Sequence, residues 1–229
     1  MKIGTVPYYN ALPLTHFLEA ETVKATPCDL AKLLDENSVD VALMPIGATL
    51  DHTYYLYPEC GLIGCDGFVG SVGFFTPPWI ASLRQVQTVH WDAESKTSNR
   101  LGEILLKWET ETKVIEAHNN PDAQLLIGDK ALFDTSPRTY WDLGERWKEH
   151  TGFGFIFACW ASKYPLSDSD KAKLTQARNQ GCTHFDEVLA KVPVDKHTRL
   201  AKYFNQQIKY HVTDSLLNGW QRFCFETHG

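Results

Sequence analysis

Two apolar runs, Gly70-Ser71-Val72-Gly73-Phe74-Phe75-Thr76-Pro77-Pro78 and Phe155-Ile156-Phe157-Ala158-Cys159-Trp160-Ala161, organise this chain. Both are strand-like, and a Pro-Pro pair punctuates the end of the first. The residues between them carry strand and helix signals of their own. A chain that leaves one α/β lobe through one strand and returns through another builds two lobes with a cleft between them. Such a cleft is where a small ligand binds. The expected division places 1–76 and 160–229 in lobe I and 77–159 in lobe II, with the strands 70–76 and 155–161 as hinges.

Outward from these runs, strands and helices alternate. Lys2 to Val6 reads as a strand, and Pro13 opens a helix carrying Leu14, Phe17 and Leu18. Asp29 is the expected cap of a helix with Leu30, Leu33 and Leu34 on one face. Val39 to Met44 is an apolar strand stopped by Pro45, Leu62 to Gly64 a short one, and Val69 to Phe75 the exit strand. In the second lobe, Val86 to Trp91, Lys113 to Ala117 and Gln124 to Ile127 read as strands. Ser95 to Ser98 supply cap chemistry for a helix reaching Trp108, and Asp142 to His150 is a polar helix. The tail is helical: one pattern runs from Ser167 or Asp168 to Val192 with a break at Gly181. Asp195 and Asp214 start helices over 196–209 and 215–225. Leu200, Tyr203, Phe204 and Ile208 form a core-like pattern. The alternation predicts an α/β fold with mostly parallel strands.

Composition sets the limits. The chain has 229 residues, 43% of them hydrophobic and 22% charged, with a net charge of −6. These are ordinary globular values, and no block of like charge marks a nucleic-acid or membrane surface. No run approaches the ~18 apolar residues of a membrane span. The start, Met1-Lys2-Ile3-Gly4-Thr5-Val6, reads as a strand and lacks the apolar core of a signal peptide, so a cytoplasmic location is expected. Six cysteines at 28, 60, 65, 159, 182 and 224 form no CxxC pair, and the nine histidines show no HExxH spacing. Reduced thiols and no metal site follow.

Ligands of open α/β lobes meet the loops at the carboxyl ends of strands. The loop after the first strand holds Tyr8 and Asn10, whose amide can donate and accept; a turn or cap role competes. Pro45 ends the next strand. Gly70 and Ser71 sit beside the exit strand, where Ser71 can face the cleft or serve a turn. The segment Asp92-Ala93-Glu94-Ser95-Lys96-Thr97-Ser98 joins a strand to a helix. Its hydroxyls at 95, 97 and 98, with free backbone N–H groups, suit a carboxylate, although a plain cap needs only one of them. Gly128, Asp129, Thr151 and Gly152 complete the expected rim. No Ser-His-Asp set, phosphate loop or dinucleotide fingerprint is present. Any enzyme reading therefore needs chemistry that uses few strong protein acids or bases.

These loops resemble one family, the chorismate dehydratases of the futalosine route to menaquinone. The resemblance lies in YYNALPL at 8–14, VDVALMP at 39–45, GFVGSVGFF at 67–75, DAESKTSNRL at 92–101, LLIGDKAL at 125–132 and YWDLGERWKEHTGFGFIFACWA at 140–161. It spans residues 2–162; the tail is similar only in character. It implies the two-lobed fold of type II periplasmic binding proteins, with a central ligand cleft. It also implies a cytoplasmic lyase that dehydrates chorismate to 3-[(1-carboxyvinyl)oxy]benzoate without a cofactor. The family's important Asn and Ser correspond to Asn10 and Ser71. Pro7, Ile46-Gly47 and the TGFGFIFA run depart from the family's usual pattern, which removes one hydroxyl near 46–47. A non-catalytic binding protein for small carboxylates and a related lyase acting on another cyclic carboxylate are the competing readings. The oligomeric state is not readable, and Arg84, Arg100 and Arg138 stand unranked as carboxylate partners.

Overall fold

The structure, a computed structural model, describes residues 1–50, 52–110 and 113–228. In chain order the strands are β1 (Lys2–Thr5), β2 (Glu21–Lys24), β3 (Val41–Pro45), β4 (Tyr55–Cys65), β5 (Val72–Thr76), β6 (Thr88–His90), β7 (Ile115–Glu116), β8 (Ala123–Ile127), β9 (Thr139–Asp142) and β10 (Phe155–Ser162). The helices are α1 (Leu12–Thr15), α2 (Pro27–Asp35), α3 (Ile46–Thr49), α4 (Lys96–Glu109), α5 (Gly128–Leu132), α6 (Leu143–Thr151), α7 (Asp168–Thr183), α8 (Phe185–Leu189), α9 (His197–Lys202) and α10 (Asp214–His228).

The strands form two five-stranded sheets, ordered β2-β1-β3-β10-β4 and β7-β6-β8-β5-β9. β3 is buried at every residue because it lies inside the first sheet, which is why Val41-Ala42-Leu43-Met44 is apolar without alternation. β1 runs parallel to β2 and β3, and β6 parallel to β7 and β8. In each sheet the fourth strand is antiparallel to both neighbours: β10 in the first, β5 in the second. The sheets are therefore mixed, not mostly parallel. Both antiparallel strands are those by which the chain arrives from the other lobe.

That arrival corrects the expected boundaries. Val72–Thr76 was expected in lobe I and Phe155–Cys159 in lobe II, but the pairing puts β5 in the second sheet and β10 in the first. An arriving strand hydrogen-bonds in the sheet it enters. The chain crosses between the sheets at 66–71 and 152–154.

Several local expectations also shift. Thr26, not Asp29, is the N-cap of α2; its hydroxyl accepts the Asp29 N–H at 3.3 Å and donates to the Asp29 carboxylate at 2.6 Å. Gly181 does not break its helix: α7 continues to Thr183. The expected helix 196–209 is α9 followed by a π-helical turn, Tyr203–Gln207, and no side-chain cap at Asp195 starts it. β2, β9 and the first half of β4 are strands that the sequence pattern does not announce.

The seam between the lobes is aromatic. Trp147 of α6 is fully buried, lies 5.6 Å from the stacked Trp108 ring and meets Phe155 edge-on at 5.3 Å. Phe223 of α10 packs edge-on against Phe155 at 5.1 Å. The Trp147 indole N–H donates to the Gly154 carbonyl at 3.1 Å. The C-terminal helix is thus fastened to the second crossing.

Candidate active site

Four carboxyl-terminal strand ends and the first crossing converge on one cleft. After β1 the chain turns at Pro7 into a single 3-10 turn, Tyr9–Ala11, which presents Tyr8 and Asn10. β3 contributes Pro45, and the crossing contributes Ser71. β6 leads through Asp92 to Ser95, the N-cap of α4, whose Oγ accepts the Ser98 N–H at 3.1 Å and donates to Ser98 Oγ at 2.9 Å. β8 ends at Gly128, which has a left-handed φ of 57° and lies under the Tyr8 ring. Together Tyr8, Asn10, Pro45, Ser71, Ser95, Ser98 and Gly128 line a cavity of ≈ 60 Å³, with Val6, Ile63, Val69, Phe157 and Ile208 as apolar walls.

Ser71 is placed by Asp142. This carboxylate is 2% exposed and accepts the N–H groups of Val69 at 3.0 Å, Gly70 at 2.6 Å and Glu145 at 2.9 Å, plus the Tyr140 hydroxyl at 2.8 Å. It caps α6 and fixes the crossing in one stroke. Burial raises its pKa, and the N–H groups of Val69, Glu145 and Gly70 pull the other way. Gly70 has a φ of 73°, and a Cβ there would stand 2.9 Å from both Arg199 Nη2 and Gln207 Oε1. The dihedral disfavours a side chain there, and one would displace the ends of Arg199 and Gln207.

A residue that sequence reasoning counted as core completes the site. Tyr203, 1% exposed, donates its hydroxyl to Ser71 Oγ at 2.7 Å. The Asn10 side chain acts on the same hydroxyl. Burial pushes the Tyr203 pKa far up, and Ser71 and Asn10 oppose the rise. Asn10 Oδ1 is buried and has no hydrogen-bond partner among the described residues. The only sequence signal for Tyr203 was its helical spacing with Leu200 and Phe204, which signals burial, not a polar contact.

The lobes are closed on each other. Gly47 N–H donates to Thr97 Oγ1 at 2.8 Å, and a Cβ at 47 would meet Thr97 Cα at 2.8 Å. Tyr9 N–H donates to Asp129 Oδ1 at 3.3 Å. The Tyr8 hydroxyl donates to Glu94, whose other oxygen takes Lys130 Nζ at 2.8 Å. Lys130 and then Tyr8 hold the Glu94 pKa below its ordinary value, and burial with the Glu94 bond pushes the Tyr8 pKa up. Burial also raises the Asp129 pKa, against the Tyr9 N–H and the Lys196 charge.

Five expected site residues do not line the cavity. Thr97 and Asp129 are spent on the lobe-to-lobe contacts above. The Gly70 N–H bonds Asp142, and its carbonyl accepts from Arg199 at 3.3 Å. The Thr151 hydroxyl donates to the Trp147 carbonyl at 2.7 Å, and Gly152 is the left-handed C-cap of α6 with φ 76°. Both belong to a helix end. Arg84 and Arg100 are exposed, and Arg138 pairs with Asp134 and Gln124. The guanidinium near the site is Arg199, which binds Gln207 Oε1 at 2.8 Å behind Gly70.

The fold recurs in solved structures. Protein AF1704 from Archaeoglobus fulgidus superposes with a TM-score of 0.75 at 13% identity, covering 99% of this chain and 96% of that one. The periplasmic aliphatic sulphonate binding protein SsuA from Escherichia coli gives 0.62 at 12% identity, over 100% and 86%. A Candida albicans protein with the generic periplasmic-binding-protein fold gives 0.55 at 13%, over 100% and 90%. The class is therefore a two-lobed α/β fold of the periplasmic-binding-protein kind. The sequence profile of the menaquinone biosynthesis family matches residues 1–227, and the chain belongs to that family. It is 27% identical, over 97% of its length and 93% of the other's, to the chorismate dehydratase of Thermus thermophilus. No described helix is long and apolar enough to cross a membrane.

Proposed function

We propose that this protein is a carbon–oxygen lyase that dehydrates chorismate to 3-[(1-carboxyvinyl)oxy]benzoate. One observation carries the reading beyond family membership. The polar side chains lining the cavity are Tyr8, Asn10, Ser71, Ser95 and Ser98, drawn from both lobes, with no carboxylate, imidazole or cation among them. Such a lining orients a ligand and hydrogen-bonds to it but supplies no strong base.

The dehydration suits it. The ring C3 proton leaves, its bonding pair becomes ring π bond, and the C4–O bond breaks. Aromatisation drives the step. The enolpyruvyl carboxylate of the substrate takes the C3 proton and passes it to the departing C4 oxygen, which leaves as water while a hydrogen-bond donor stabilises the charge that develops on it. Asn10 and Ser71, which share the Tyr203 hydroxyl, are the groups assigned to that hydroxyl of the substrate. Ser95 and Ser98 lie at the start of α4, whose first-turn N–H groups and dipole favour a carboxylate. The protein contributes orientation and charge stabilisation. A cavity of ≈ 60 Å³ is too small for a ring with two carboxyl-bearing arms, so the lobes part to admit it and close to exclude water.

The test is purified protein with chorismate, followed by loss of diene absorbance and chromatographic appearance of the aromatic ether. Asn10→Ala is expected to lower kcat/KM by about 30-fold or more, the size of one oriented interaction of ~2 kcal/mol. Saturable binding without turnover by the natural protein would instead support a carboxylate-binding protein. Unchanged turnover in Asn10→Ala would remove Asn10 from the chemistry.

A further inference from the structure

We propose that Tyr203 is a positioning residue that fixes the direction of the hydrogen bonds reaching the cavity, making Ser71 a donor and Asn10 an acceptor toward a single ligand hydroxyl. Naming that ligand as chorismate rests on the dehydratase reading; the polarity of the pair does not.

A tyrosine hydroxyl has one hydrogen. Tyr203 gives it to Ser71 Oγ at 2.7 Å. Toward any other neighbour the Tyr203 oxygen can then only accept. The Asn10 amide acts on the same hydroxyl, and an oxygen that has given its hydrogen to Ser71 can meet that amide only through its NH2. With the NH2 so engaged, Asn10 Oδ1 is the group left over, a buried oxygen with no partner among the described residues. Ser71 Oγ already accepts from Tyr203, so its own hydrogen is free for the cavity that Ser71 lines. The pair presents one acceptor and one donor to the same space. A hydroxyl is the ligand group that answers both.

The backbone around Tyr203 fits this task. It opens the π-helical turn Tyr203–Gln207, closed by Ile208 N–H on the Tyr203 carbonyl at 3.1 Å. Such widened turns occur often at functional sites, because one extra residue re-aims the side chains around it. Ile208, the residue after the turn, is itself a cavity wall. Without the Tyr203 hydroxyl, Ser71 is free to turn its hydrogen away from the ligand, and Asn10 is free to flip.

The experiment measures turnover and binding of chorismate by the natural protein, Tyr203→Phe, Ser71→Ala and the double variant. Tyr203→Phe is expected to lower kcat by about 10- to 100-fold through lost orientation, with KM within about threefold. The double variant is expected to be slower than Ser71→Ala alone by less than Tyr203→Phe costs in the natural background, because the part acting through Ser71 is already lost and only the Asn10 orientation remains. Natural-like kcat in Tyr203→Phe, or additive losses in the double variant, overturns the inference and leaves the dehydratase reading standing. Binding without turnover by the natural protein overturns the dehydratase reading; a tenfold weaker Kd in Tyr203→Phe then supports the inference and an equal Kd overturns it. A natural protein that neither turns over nor binds chorismate overturns both.

Discussion

Replacing Asp142 tests how the first crossing is held. In Asp142→Ala, the Val69 and Gly70 N–H groups lose acceptors at 3.0 and 2.6 Å in a buried place, while the Tyr140 hydroxyl keeps the Val72 carbonyl at 3.2 Å. Two stranded buried donors cost roughly 2 kcal/mol each. The lost cap on Glu145 N–H costs about 1 kcal/mol. Relief from burying a charge returns part of this, which leaves an expected loss of about 4 kcal/mol. Asp142→Asn keeps one acceptor oxygen and should lose about half as much. Urea unfolding with linear extrapolation gives both values. A pH series adds a sign. Burial raises the folded pKa of Asp142 above its unfolded value. The stability it contributes is therefore full below the unfolded value, ~3.9, and is lost as pH rises through the folded value. The natural protein's advantage over Asp142→Asn should shrink across that window. A loss under 1 kcal/mol in Asp142→Ala, or an advantage that grows with pH, would refute the account.

Two other outcomes follow from the cross-cleft contacts. Thr97→Val keeps shape but strands the Gly47 N–H, so the closed form should weaken by about 1–2 kcal/mol. Small-angle scattering would then show a larger radius of gyration for the ligand-free variant, and an unchanged radius would mean this bond does not hold the lobes. The Glu94 carboxyl, titrated by carbon NMR, should rise in pKa in both Lys130→Met and Tyr8→Phe, and more in the former, because the lysine is the larger influence. The reverse order would show that Tyr8 is the stronger partner.

The parts legible in the sequence were those whose signal is local. Ser95 is readable as a cap because its partner, Ser98, is three residues away. β3 is readable because all of it is buried. β2 and the outer half of β4 are not, since they lie at sheet edges with exposed residues such as Glu21, Thr22 and Tyr55. Pro58 sits in β4 because an edge strand tolerates a missing N–H. The cavity positions of Tyr8, Asn10, Ser71, Ser95, Ser98 and Gly128 follow from strand-end logic. Thr97 satisfied the same logic, yet its hydroxyl meets Gly47, fifty residues away in sequence. Tyr203 was legible as buried, but the partner of its hydroxyl lies 132 residues back, and no spacing rule reaches that far. Gly47, read as a missing hydroxyl, instead offers its N–H where a side chain would collide with α4.

The interleaved strand order has a consequence for how the chain is made. The second sheet is assembled wholly from residues 72–142, an unbroken stretch. The first is not: among the described residues the one strand beside β4 is β10, nearly a hundred residues further along, and the Gly64 bridge to Lys209 comes later still. On a ribosome the second lobe can complete its sheet while β4 still has no partner. A nascent chain ending at residue 154 therefore holds one finished sheet and one with its inner strand missing and an apolar edge at β3 laid open. That is the stage most exposed to misassociation, and the stage at which a chaperone has most to cover.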